Sequence, residues 1–505
     1  MTDKILFWID LSLLQFGIAK SLQEKLDSDL YVIYDLNHHL KKSFEKQNII
    51  DFKKEWYFWD HVKNIQKPDM EYLKKIEKIY AINLWEIAYS ERIFQEYNSF
   101  YKFTREEILS IFEQECRFFE KVLDDANPDF LIIKNTDLHR NHLLTEMCRT
   151  RGVKILMLFA SRLGYRASIS SKPDTIDHHL DEKIENTLNI ESPEDLTKYF
   201  ENHNRLKQTK NIQSGTMNTP IYKKFMASIT WLVKTFDKEW KEGYDHYGVT
   251  RLNAMWNYFL YSIKRIFRKM FIDRNFEKEI NTHEKFLYFP LQVQPERGVD
   301  IAAPFYANQA EVIVNISKAL PIDYKLYVKE HYNMHLRNWR KTSYYKKILD
   351  LPNVRLIHPS VSPKILLEHC TTVITVSGTG GFEAALHKKP CIVFADVIYS
   401  SLPSVYRLKN LEELPMAIKE SLNKKIELSD VSKFVNLLDK NSFEFDLFGY
   451  YSKVLERFHH GGFMISNEIS MNNLDLFIEE DRVIYEMLAE EHIKKINQYK
   501  KLVQG

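Results

Sequence analysis

The stretch Ser377-Gly378-Thr379-Gly380-Gly381-Phe382-Glu383 concentrates the residue types that do chemistry in this chain. An apolar run, TTVITVS, leads into it, and FEAALH follows at helical spacing. Glycines between a strand and a helix let the backbone approach a ligand without a side chain in the way. Amide N–H groups at a helix start, with the positive end of the helix dipole behind them, suit phosphate oxygens. Ser377 and Thr379 add hydroxyl donors, whereas Glu383 would repel a phosphate and is better suited to accept hydrogen bonds from the two hydroxyls of a ribose. The plainer reading is a tight strand-to-helix turn in which Glu383 serves only the helix dipole.

Two further constellations end apolar runs in the same part of the chain. KLYVKEHYN places Lys329, Glu330 and His331 after a strand pattern, where an ammonium or imidazole can meet a nucleotide phosphate or base. PLQVQPERGVD places Gln292, Gln294, Glu296 and Arg297 after another, and a carboxylate there would face an interdomain cleft, the place for general-base or nucleophilic work on a sugar. Each competes with a solvated loop. In the first half, NTDLHRNH follows DFLIIK, so Asp137, His139 and Arg140 also end a strand, and Arg162 and Arg166 end the next. Asp137, His139 and Arg140 would bind an acceptor or assist catalysis, against the simpler role of a helix cap for Asp137, and the two arginines would meet an anionic acceptor or a donor carboxylate, against plain solvation.

The elements that must carry these residues follow from periodicity. Short apolar runs alternate with longer helical patterns twice, the mark of parallel sheets covered by helices. KILFWID, DLYVIYDL, DFLIIK and VKILMLFA read as strands of the first unit, with helices inserted over roughly residues 68 to 124. KFLYFPLQVQ, DYKLYVKEH, NVRLIHP and TTVITVS read as strands of the second. The expected division is residues 1–189 for a Rossmann-like acceptor domain, 190–283 for a helical connector, 284–430 for a Rossmann-like nucleotide-binding domain, and 431–505 for terminal helices. In a doubly wound sheet the ligand sits outside the carboxyl ends of the strands, where every constellation above falls.

Composition sets the outer bounds. The 505 residues are too many for one core, and 44% hydrophobic content with 14 glycines and 15 prolines describes a folded chain. A net charge of +2 from nearly balanced totals lacks the basic excess of a nucleic-acid binder. The four cysteines have no paired spacing, so neither a zinc site nor a disulfide framework is expected. Asp27-Ser28-Asp29, Asp177-His178-His179 and His459-His460 hold metal-ligand types without a spaced partner set, and no metal is expected. The first residues read as a strand rather than a secretory leader, and no apolar run approaches the length that spans a bilayer. YFLYSIKRIFRKMFIDRNF mixes Lys264, Arg265, Arg268 and Lys269 with large apolar residues, a pattern shared by helices lying on anionic membranes and by helices that pack into a protein's own core.

Taken together, PLQ with Glu296, then VKEH, then SGTGGFEAAL and KPCIVFAD resemble the capsule polysaccharide biosynthesis glycosyltransferases, the group that includes bacterial Kdo transferases, over roughly residues 285 to 408. The resemblance implies an α/β fold of two Rossmann-like domains in the glycosyltransferase-B architecture, with a helical insertion and C-terminal helices. It implies a metal-independent enzyme, with no cofactor, that moves a sugar from a nucleotide donor, CMP-linked among the choices, to a surface polysaccharide or lipid-linked glycan. By that likeness Glu296 and His331 are catalytic, while Gln292, Arg297, Lys329, Ser377, Gly378, Thr379, Gly380 and Glu383 hold the nucleotide sugar. Asp137, His139 and Arg162 would meet the acceptor. A cytoplasmic location, at the inner face of the membrane if the basic segment contacts lipid, completes the expectation. A nucleotide-sugar epimerase, or a non-catalytic glycan- or nucleotide-binding protein of an assembly complex, remain the alternatives.

Overall fold

The apolar runs of the first half become β1 (Asp3–Ile9), β2 (Ser28–Tyr34), β3 (Lys54–Tyr57), β4 (Phe130–Lys134), β5 (Lys154–Ala160) and β6 (Arg166–Ser170). Those of the second become β7 (Phe286–Pro290), β8 (Lys325–Lys329), β9 (Val354–Ile357), β10 (Thr372–Thr375), β11 (Cys391–Val393) and β12 (Val405–Arg407), and a short β13 (Phe443–Glu444) follows. The computed structural model describes residues 2–177, 195, 243–459 and 468–504, apart from residues 37, 64, 96, 162, 163 and 338.

Two sheets result. The first has the order β13-β6-β5-β4-β1-β2-β3, parallel from β5 to β3 and antiparallel at β6 and β13. The second has the order β12-β11-β10-β7-β8-β9 and is parallel throughout. Both are Rossmann-like. In each, the chain leaves the first strand to one side and later returns to its other side, so the order reverses between β1 and β4 and again between β7 and β10. A crevice opens at such a reversal because the flanking loops diverge to opposite faces.

Strand alternation explains how each sheet is covered. Phe7, Val32 and Ile132 point to the face that packs on the helix Leu14–Lys25 and the terminal helices, while Leu6, Trp8 and Ile133 point to the inserted helices Met70–Tyr80, Leu84–Ser90 and Arg105–Ala126. In the second sheet Leu287, Phe289 and Val328 meet the helix Gln309–Ala319 side, and Tyr288, Tyr327 and Val373 the side of the helices Pro363–His369 and Gly380–Leu386.

The terminal segment crosses back to the first sheet. β13 pairs with β6, and Arg166 fixes the junction by donating to Ser442 Oγ at 2.8 Å and to the Asp439 carbonyl at 2.9 Å. The final helix Arg482–Gln504 lies on the helix Leu14–Lys25 so closely that a Cβ at Gly17 would fall within the Tyr485 ring. Phe159 of β5 belongs to the core of the second unit, so the two units share an apolar contact. Of the expected connector, residues 190–194 and 196–242, with Trp231 and Trp240, lie outside the described residues; the rest includes the helix Arg251–Asn275.

Candidate active-site cleft

At the reversal of the second sheet, Gln292 follows β7 and Ser377 follows β10, and the two side chains join the loops. Gln292 Nε2 donates to Ser377 Oγ and Gln292 Oε1 accepts from the Ser377 amide, both at 3.0 Å. Ser377 Oγ in turn donates to the Gly298 carbonyl, and the Tyr399 hydroxyl donates to the Gly378 carbonyl. Gly378 has no room for a side chain: a Cβ would lie 2.9 Å from Thr375 Oγ1 and 3.2 Å from Gln292 Nε2.

These bonds narrow what the loop can offer an anion. The Gly378 amide is taken by Thr375 Oγ1 at 3.2 Å, and those of Gly381, Phe382 and Glu383 turn back onto the Gly378 and Thr379 carbonyls. The amides of Thr379 and Gly380 remain without an intrahelical acceptor. Ser377 is only 2% exposed and serves the loop itself, whereas Thr379 and Gly380 are half-buried at its rim. Glu383 is half-buried on the helix behind them and lies in electrostatic reach of Tyr288, whose hydroxyl it helps to hold protonated after burial, the larger cause.

Beneath the loops lies a buried polar network that the sequence reading did not anticipate. Arg340 donates to Glu330 Oε2 at 3.1 Å, to Gln294 Oε1 at 3.0 Å and to the Gln292 carbonyl. The Tyr345 hydroxyl donates to Glu330 Oε2 at 2.6 Å, and Gln309 ties the Gln292 backbone to Gln294. Glu330, fully buried, also accepts from the His331 amide at 2.7 Å. Such a network is costly unless every member is bonded, and here its bonds fix the loops after β7 and β8 relative to one another.

His331 stands at the edge of this frame, half-buried. Burial lowers its pKa, so the ring is neutral at physiological pH. Its Nδ1 accepts from the Asn333 amide at 3.1 Å, which puts the ring proton on Nε2 and makes that atom a donor. Lys329 instead points inward, 5% exposed, bonding the Glu330 and Pro359 carbonyls; burial pulls its pKa down to about 8.

The reversal of the first sheet faces this edge. Asp10 after β1 and Lys134 at the end of β4 form an ion pair, and Ser12 donates both its amide and its hydroxyl to Asp10 Oδ1 at 2.9 and 2.7 Å. Asp137 lies beside them. Burial pushes its carboxyl above the usual carboxylate range against the pull of Lys134 and Arg297, and Asp10 adds to the rise. Arg297 reaches across from the β7 loop to pair with Asp174, each about nine-tenths buried, and its Nε has no hydrogen-bond partner. Arg297 thus bridges the two units at the cleft. Glu296, its neighbour, is exposed and caps the turn by donating its amide to Asp300 Oδ2 at 2.9 Å.

His139 and Arg140 do not join this cleft. The helix His139–Thr150 turns the His139 ring into the inserted helices, where Nδ1 meets Glu91 Oε2 at 2.7 Å and Nε2 meets Glu115 Oε1 at 3.0 Å with the ring fully buried. Burial opposes its protonation, but the two carboxylates outweigh it and raise its pKa to about 9. An acceptor contact is therefore out of its reach. Arg140 is committed to Asp35 at 2.8 Å beneath Trp59. Arg162, the third expected acceptor residue, lies outside the described residues, as do His178, His179 and His460. Among the described residues no three acidic, His or Cys side chains are grouped to hold a metal. Asp10 and Lys134 could have been singled out from sequence, since each ends an apolar run, as Asp137 nearly does.

Residues 182–416 match the family model of the capsule polysaccharide biosynthesis proteins. The chain is similar to that family. The matched segment contains the β7, β8 and β10 loops on which the resemblance was read, and so the whole Gln292–Ser377 junction. No curated protein sequence matches the chain. Among solved structures, the UDP-GlcNAc 2-epimerase of Methanocaldococcus jannaschii matches with 15% identity and a TM-score of 0.24, over 87% of this chain and 100% of that one. The beta Kdo 2,7 transferase KpsC of Thermosulfurimonas dismutans matches with 12% identity and a TM-score of 0.30, over 70% and 87%. The N-terminal domain of Candida albicans trehalose-6-phosphate phosphatase matches with 11% identity and a TM-score of 0.28, over 90% and 97%. At such scores none of them speaks to the reaction of this chain.

Proposed function

We propose that the protein is a glycosyltransferase of surface polysaccharide assembly, moving a sugar from a nucleotide-activated donor to a growing polysaccharide or lipid-linked glycan. The observation that carries this reading is the reach of Arg297, from the loop after β7 at one strand-order reversal, to Asp174 beyond β6 and into electrostatic range of Asp137 at the other reversal, within a chain similar to capsule polysaccharide biosynthesis proteins. The second unit would hold the donor and the first the acceptor.

In this reading the Thr379 and Gly380 amides grip the donor phosphate, Gln292 and Ser377 keep that loop in place, and Glu383 accepts from the ribose hydroxyls. His331 Nε2–H donates to a phosphate oxygen. A carboxylate in the cleft takes the proton of the acceptor hydroxyl as its oxygen bonds to the anomeric carbon. The bond from that carbon to the phosphate breaks, and the nucleotide leaves with the electron pair, its charge met by the amides, His331 and Arg297. Asp137 suits the base better than Glu296, because its raised pKa and its place at the reversal give it both proton affinity and access.

The test is nucleotide release from UDP-, GDP-, CDP- and CMP-linked sugars in the presence of a glycan acceptor. Asp137→Asn is expected to lose about a hundredfold or more in turnover while still binding nucleotide, in the range a lost general base costs. Glu296→Gln is the companion variant. Full turnover by Asp137→Asn with loss in Glu296→Gln would move the role to Glu296, and release from no donor would refute the transferase reading.

A further inference from the structure

Among the described residues, the helix Arg251–Asn275 meets the second unit through the side that carries Arg268 and Ile272. Arg268 donates to the Trp339 carbonyl at 3.0 Å, Asp273 meets His358 Nε2 at 3.0 Å, and Ile272 is buried. On the far side, at 3.6 residues per turn, Leu252, Trp256, Phe259, Ile263, Phe267 and Met270 form a stripe. Trp256, Phe259 and Phe267 are 60%, 53% and 65% exposed, and the Trp256 and Phe259 rings stack at 5.7 Å. The sequence pattern alone left open whether this stripe enters the protein's own core; among the described residues nothing covers it. Exposed apolar area of this extent on a single helix marks a binding surface.

We infer that this face docks on an anionic membrane surface, with the helix lying in the interface. Charge decides among the candidate occupants. The helix carries six Lys or Arg against one Asp, in a chain whose total is only +2. Lys264 and Lys269 fall on either flank of the stripe, where their stems can lie along apolar surface and their ammonium groups reach headgroups. Residues 196–242 carry nine Lys or Arg against four Asp or Glu, so that segment brings no complementary charge to the helix. A second copy would set two basic helices against each other. Anionic lipid supplies both the apolar layer and the opposite charge. No helix among the described residues is long and apolar enough to cross a membrane, so the contact is one of lying on the surface. The inference is independent of the transferase reading.

The experiment is sedimentation of the full chain with vesicles of phosphatidylcholine alone and of phosphatidylcholine mixed with phosphatidylglycerol. Binding is expected only to the mixed vesicles and is expected to weaken as salt is raised. Phe259→Glu with Phe267→Glu should reduce it about a hundredfold, through the lost apolar burial, and leave the melting temperature unchanged because both rings are exposed. Lys264→Glu should weaken it about thirtyfold. No sedimentation, or equal binding by the Phe double variant, would overturn the inference. So would a fall in that variant's melting temperature or a change in its mass in solution, which would assign the face to residues 196–242 or to a second copy.

Discussion

Gln292→Glu separates an anion-binding loop from a merely tight turn. The carboxylate keeps the oxygen that accepts from the Ser377 amide, and the Ser377 hydroxyl can turn to donate to the other in exchange for its bond to the Gly298 carbonyl. The loop therefore stays in place, but a negative charge now sits beside it. A carboxylate about 6 Å from a phosphate at an effective dielectric constant of about 20 repels it by about 3 kcal/mol, about a hundredfold in Kd. Gln292→Ala makes the opposite trade: it adds no charge but removes two hydrogen bonds, about 2 kcal/mol of anchoring for the Ser377 loop. Titration calorimetry with UDP, GDP, CDP and CMP, and with the matching nucleosides, reads the difference. Gln292→Glu should weaken nucleotides about a hundredfold and nucleosides hardly at all, with the gap narrowing in salt. Gln292→Ala should weaken both. Unchanged nucleotide affinity in Gln292→Glu would refute the loop as the phosphate site.

Other expectations concern stability. Arg340→Met leaves Glu330 buried without its cation and should cost about 3 to 5 kcal/mol in denaturant unfolding, with Arg340→Met plus Glu330→Gln costing less than the sum of the single variants. His139, raised to about 9 in the fold from 6.5, contributes stability that is whole below pH 6.5 and is lost as pH rises through 9, about 3 kcal/mol at most. His139→Gln should flatten that slope in urea unfolding followed from pH 6 to pH 10, and a wild-type profile without the slope would remove the charged assignment. Gly17→Ala should loosen the final helix, costing about 1 to 3 kcal/mol and exposing Tyr485 to quenching.

The parallel sheets were legible because each buried strand is a short apolar run with a helical pattern after it: KILFWID, DFLIIK and TTVITVS all became strands within a few residues of their expected ends. The glycine turn after β10 was legible for the same local reason. What escaped the sequence is long-range pairing. Gln292 and Ser377 are 85 residues apart, so nothing local showed that the hydroxyl expected on a phosphate is spent on Gln292 and Gly298. Glu330 looked like one of three polar residues at a strand end; its commitment to Arg340 and Tyr345 depends on how the loop folds back. His139 opens a helix as expected, but which way its ring points is set by the inserted helices that supply Glu91 and Glu115. The return of the terminal segment to the first sheet was equally hidden, since β13 is two residues long and carries no periodicity.

The proposed transfer requires a nucleotide in the crevice between the β7 and β10 loops, facing Asp137 across Arg297. A crystal structure of the protein with the tightest-binding nucleotide of the panel tests it directly. The phosphate is expected against the Thr379 and Gly380 amides with His331 Nε2 in hydrogen-bond reach. A nucleotide bound elsewhere, or one whose phosphate turns away from the cleft, would contradict it.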